Sequence, residues 1–111
     1  LAKRRENMQT STIEEALSAL KEGKFVVVAD DDNRENEGDL IIAAEKVTPQ
    51  ALAFMVRHTS GVVCISMLGS RLNKLNIPLM VQNNTESMRT AFTVSVDCKH
   101  GTSTGISAAD D

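Results

Sequence analysis

The sequence predicts an α+β domain in which helices cover a mixed β-sheet, and three observations lead there. Residues 25–29 (FVVVA) and 62–66 (VVCIS) are continuous apolar, β-branched runs, the pattern of strands covered on both faces. Two helix starts are written in the chain, a capping box at Thr12 and a Thr48-Pro49 pair. The resulting order, α-β-β-α-β-α-β, lacks the strict alternation of a doubly wound fold.

Each element has a local cause. Thr12 is the expected N-cap and Glu15 reaches back to it, while Ile13, Ala16, Leu17 and Leu20 form one helical stripe that Gly23 ends. The first strand follows at residues 25–29, and an acidic loop separates it from a second at residues 39–44. Pro49 opens the second helix, whose buried stripe is Leu52, Met55 and Val56, and Gly61 breaks it. After the strand at 62–66, a short helix around residues 70–75 stops before Pro78. Residues 83–87 form a loop. In residues 90–97, Phe92, Val94 and Val96 alternate with Thr93, Ser95 and Asp97, a strand with one wet face. A Gly/Ser/Thr loop and Ala-Ala-Asp-Asp follow, with no closing element, so the domain is expected to be incomplete. Residues 1–11 read as a tail and 12–111 as the N-terminal portion of the domain. Leu1 in place of Met is expected of a chain processed or excised from something longer.

With 111 residues there is room for one compact domain, and a chain this short buries a modest share of its surface, so help from a partner subunit is expected. The net charge of −3 is concentrated: residues 30–39 (DDDNRENEGD) carry six carboxylates against Arg34. A broad basic face for nucleic acid is not expected, Lys3, Arg4 and Arg5 read as a solvated cluster, and three Phe without Trp or Tyr make no stacking platform. No apolar run approaches a membrane-spanning length and no signal-peptide stretch begins the sequence. Cys64 and Cys98 are read as reduced thiols. Cys98 and His100 share one side of an extended segment, but two ligands do not make a zinc site.

The acidic loop is the candidate site. Six like charges after a strand repel and raise one another's pKa unless a cation offsets them. A solvated turn is the plain alternative. Against it stand the strand that anchors the loop and Arg34, whose fork suits phosphate or carboxylate. An EF-hand register from Asn33 fails because Ala44 falls at the twelfth position and strands flank the loop. Magnesium or manganese fits better, held by one or two carboxylates plus substrate oxygens. Gly101-Thr-Ser103-Thr-Gly105 has the spacing of a nucleophile elbow, but no His follows His100, so a tight turn or a phosphate-lining loop is expected instead. Cys64, mid-strand, reads by itself as a small buried hydrophobe, and His58 as a helix-surface, cap or base residue.

The stretch ADDDNRENEGDLIIAAEKVT, followed by RHTSGVVC, IPLMV, TAFTVSVD and GTSTGISAAD, resembles the 3,4-dihydroxy-2-butanone 4-phosphate synthases of riboflavin biosynthesis from about Ile13 to Asp110. The resemblance implies a lyase that converts D-ribulose 5-phosphate to L-3,4-dihydroxy-2-butanone 4-phosphate and formate with magnesium, or manganese, as cofactor. It implies a homodimer, cytoplasmic or plastidic, that stands alone or is fused to GTP cyclohydrolase II. Carried over by position, Glu35 is the metal-ligating carboxylate, Arg34 and Asp39 contact substrate, and Asp30 and Glu37 are acid/base or orienting groups. Cys64 faces the substrate, and Thr104, Ser107 and Asp110 line the pocket floor. Asn33 stands where the family often has Asp, and Asp111 where it usually has Arg. The family domain continues through a segment that supplies a second metal ligand, phosphate contacts and a late Glu. The competing expectation is a non-catalytic chain that only binds metal or pairs with another chain; a calcium-binding module is a third.

Overall fold

The computed structural model describes residues 9–105 and residue 107; the Lys3, Arg4 and Arg5 cluster and Asp110 lie outside them. The chain divides into two units, Leu1–Ser60 and Gly61–Asp111.

The first unit begins with helix α1, Ile13–Lys21. Both halves of its capping box form: the Thr12 hydroxyl accepts from the Glu15 amide at 3.2 Å, and the Glu15 carboxylate accepts from the Thr12 amide at 2.8 Å. At the other end Gly23 takes φ +76°, which lets its N–H reach Leu20 and the Lys24 N–H reach Ala19, closing a Schellman turn. Strand β1, Val26–Ala29, then pairs antiparallel with β2, Gly38–Ile41, with Val28 opposite Asp39 and Ala29 opposite Gly38. The predicted second strand is therefore shorter than residues 39–44, because a one-turn 3-10 helix at Ala44–Lys46 takes over. Helix α2, Pro49–His58, is capped by the Thr48 hydroxyl, which accepts from the Ala51 amide at 3.1 Å. Its Leu52 is the one buried hydrophobic side chain among the described residues. Phe54 stacks on Phe25 with ring centroids 5.3 Å apart, and the His58 ring lies 4.5 Å from that of Phe54, tilted by 45°.

In the second unit, helix α3, Gly69–Lys74, ends on Asn76 at φ +56°, another Schellman turn in which Asn replaces glycine. Residues 78–80 and 92–94 meet antiparallel through a bridge between Leu79 and Thr93, with the Met80 amide donating to the Phe92 carbonyl at 2.9 Å.

The α+β class holds, with a smaller sheet than the sequence predicts. Among the described residues the one ladder is two-stranded and antiparallel. Residues 62–66 form no strand, and Val62 is 80% exposed where a covered position was expected. Residues 90–97 pair only at Thr93, and Val27 in β1 is 71% exposed. A β-branched run states that a segment needs partners and cover, but those must come from elsewhere in a polypeptide. For residues 62–66 the described residues supply no partner strand. No helix among the described residues is long and apolar enough to cross a membrane.

Candidate active site

The loop that joins β1 to β2 is built around one carboxylate. The Asp30 amide donates to the Glu37 carbonyl at 3.1 Å, adding one rung to the ladder. Beyond that rung the Asp31 side chain accepts from the Asn33 amide at 2.8 Å and the Asp31 carbonyl from the Arg34 amide at 2.9 Å, a turn of the kind Asp favours. The chain then doubles back. Asn36 sits at φ +57°, a left-handed conformation that Asn tolerates better than most residues. With Asn36 in that state, the amides on either side of it reach the same group: Glu37 donates to Asp30 Oδ1 at 2.8 Å, and Glu35 to Asp30 Oδ2 at 3.0 Å.

Arg34 completes the set. Its guanidinium bridges Asp30 Oδ2 at 3.1 Å and Glu35 Oε1 at 3.2 Å, with the Arg34 and Glu35 side chains about half exposed. The Asp30 carboxyl is held below its ordinary range, first by the Glu37 N–H; burial opposes this, and the Glu35 N–H and Arg34 add to the lowering. This reverses the expected effect of crowding for Asp30, because its near neighbours are N–H donors rather than other carboxylates. Strand alternation places Glu37 and Asp39 on one face of the ribbon, with Val28 and Asp30 across from them. Glu35, Glu37 and Asp39 are all exposed.

Arg34, Glu35, Glu37, Asp39 and Asp30 are thus gathered on one hairpin. Cys64, Thr104 and Ser107 belong to the second unit. Cys64 is exposed rather than buried in a strand, and Thr104 is an exposed loop residue. The Gly101–Gly105 segment is an irregular turn, with φ of +80° and +77° at its two glycines, and not the strand-to-helix turn of a nucleophile elbow. A Cβ at Gly105 would fall 2.8 Å from the Asp97 carboxylate, so only glycine lets that side chain approach. Cys98 donates to the His100 carbonyl at 3.2 Å. No group of three His, Cys, Asp or Glu among the described residues could enclose a metal ion.

One organising residue escaped the sequence reading. The Glu86 carboxylate accepts from the Met88 amide at 2.9 Å, the Thr90 amide at 3.2 Å and the Ser87 hydroxyl at 3.0 Å, and its pKa is lowered, the Met88 N–H being the largest cause. Asn84 closes the same loop by accepting from the Glu86 amide and donating to the Thr90 carbonyl. Asn84 and Glu86 at i, i+2 were the available signal; Arg89 at φ +53° left none.

Comparison with known proteins supplies the context. The family profile of 3,4-dihydroxy-2-butanone 4-phosphate synthase matches residues 14–111. A protein of that name from Agrobacterium fabrum is 57% identical over 103 residues, which are 93% of this chain and 48% of the relative. A probable bifunctional riboflavin biosynthesis protein, chloroplastic, of Oryza sativa subsp. japonica is 59% identical over 102 residues, covering 90% of this chain and 19% of that protein. Among solved structures, a 3,4-dihydroxy-2-butanone 4-phosphate synthase in complex with two magnesium ions is similar at a TM-score of 0.86 and 52% identity, covering 91% of this chain and 47% of that one. The chain spans about half the length of the synthases it matches.

Proposed function

The chain belongs to the 3,4-dihydroxy-2-butanone 4-phosphate synthase family, and from that membership we propose that it supplies one wall of an active site converting D-ribulose 5-phosphate to L-3,4-dihydroxy-2-butanone 4-phosphate and formate. The observation that carries the reading is the hairpin loop in which Asp30 holds Arg34 and Glu35 side by side, with both side chains still reachable from solvent.

The reaction begins with removal of a proton beside a ketone, then loses water, rearranges the carbon skeleton and expels formate. Each proton transfer needs a positioned acid or base, and a loop with several exposed carboxylates can offer one. Glu37 is assigned that role. Arg34 and Asp39 are assigned to the substrate, the guanidinium to an anionic oxygen and the carboxylate to a hydroxyl. Cys64, Thr104 and Ser107 are assigned to the substrate on the family resemblance alone.

Glu35 is the metal-binding residue of this half. A single half-exposed carboxylate, with no three-donor cluster beside it, suits magnesium, which takes one or two carboxylates and fills its shell with water and substrate oxygens. Manganese accepts the same hard oxygen donors. A metal held there supplies Lewis-acid polarisation of the sugar's oxygens. The complete enzyme is a homodimer, in the cytoplasm or a plastid, alone or joined to GTP cyclohydrolase II.

The second reading is a chain that binds metal or another polypeptide without catalysis. Formate release separates the two. The 111-residue chain with D-ribulose 5-phosphate and magnesium is expected to release none. A hybrid with residues 13–110 in place of the matching part of the Agrobacterium fabrum synthase is expected to release it within about tenfold of the parent, allowing for small shifts in positioning. A folded hybrid with no formate would overturn the proposal.

A further inference from the structure

We infer that Asp30 is a positioning residue whose carboxylate acts as the internal template of the loop, rather than an acid, base or metal ligand. The inference rests on the reading of Glu35 as the metal-binding residue and states what puts Glu35 in place.

An ionised carboxylate has about four lone-pair directions and donates nothing. Three donors already point at Asp30: the Glu37 amide on Oδ1, and the Glu35 amide and the Arg34 guanidinium on Oδ2. The Asp30 backbone adds a fourth tie through its own N–H to Glu37. A general base needs a lone pair facing the substrate, and a metal ligand needs one facing the ion; Oδ2, with two donors, has neither to spare, and Oδ1 keeps a single direction beside its tie to the Glu37 amide. The same contacts fix the loop from both sides of Asn36, whose left-handed backbone lets the Glu35 and Glu37 amides both face Asp30. Arg34, drawn to Asp30, is thereby set against Glu35. Groups that orient a metal ligand in this way typically change metal affinity about 10- to 100-fold when altered.

Substitution separates the roles. In Asp30→Asn one oxygen becomes an NH2 group, which cannot accept from the amide it faces, so one of the two backbone ties is lost. Asp30→Glu keeps the charge and moves it by one methylene, so it should not restore the loop.

The direct test needs no substitution: NMR scalar couplings across the hydrogen bonds, between the Glu35 and Glu37 amide nitrogens and the Asp30 carboxylate carbon, in the full 111-residue chain. Both couplings are expected, and their absence overturns the inference. With manganese alone as probe, Asp30→Asn is expected to weaken paramagnetic broadening at Glu35 about tenfold and to move the Glu35 and Glu37 amide signals, leaving those of α1 unchanged. Glu35→Gln is expected to abolish the broadening and keep both couplings. Broadening abolished in Asp30→Asn with the amide signals unmoved would make Asp30 a ligand and overturn the inference. Failure of the unaltered chain to bind manganese would count against the metal reading of Glu35, while the couplings would still decide the role of Asp30.

Discussion

Single residues in this chain work by what their lone pairs and charges are already doing. Glu35 shares one oxygen with Arg34, while Asp30 accepts from three donors, two of them on Oδ2. On that difference rests the proposal that Glu35 holds the metal and Asp30 the loop. Glu35→Gln in the hybrid synthase is expected to cut magnesium-dependent formate release by more than about a hundredfold, with the circular dichroism spectrum unchanged, since losing a ligand should cost more than altering the group that orients one. Unchanged release would remove Glu35 from the metal site. Glu86 shows the same template logic in the second unit, and its lowered pKa has a defined sign. Its contribution to order is fully present above the ordinary glutamate range and is lost as pH falls through the lowered folded value. An acid titration followed by amide NMR should therefore show Met88 and Thr90 keeping their signals through the ordinary glutamate range, and losing them only below it.

At the scale of elements, the ends of helices and the hairpin are the most determined parts of the fold. Thr12, Glu15 and Gly23 delimit α1 by bonds that all run within a few residues. Thr12→Ala removes an acceptor for the Glu15 amide and leaves that donor to water. It is expected to cost about 1 kcal/mol, read as a lower denaturation midpoint with an unchanged slope. The hairpin is also local, but its register depends on the loop: the Asp30–Glu37 rung continues the pairing of Ala29 with Gly38. These boundaries were legible in sequence because capping boxes, Thr-Pro starts and Gly stops act over one helical turn. The inside of the acidic loop was not. Composition reported repelling carboxylates, whereas the folded loop brings two backbone amides to one of them, and no residue pattern announces where an amide will point.

For the molecule as a whole, large apolar residues such as Val62, Leu68 and Val96 stand exposed, and Leu52 is the one buried hydrophobic side chain among the described residues. About 25 cal/mol is gained per Å² of apolar surface buried, so surface of this kind contributes little until something covers it. The synthases matched by this chain are about twice its length. Joining the chain to the remainder of such a domain, as in the hybrid, is expected to raise its thermal midpoint together with its formate release; a midpoint equal to that of the chain alone would argue that these faces stay uncovered. The residues by themselves determined the family, the helix limits, the hairpin and the list of groups able to do the chemistry, because each depends on residue type and short spacing. Only the tertiary structure decided which carboxylate of the acidic loop gathers the backbone amides, and that the strands predicted at 62–66 and 90–97 lack a ladder among the described residues. Both outcomes depend on where distant backbone donors and strand edges come to lie, and a linear pattern carries no information about that.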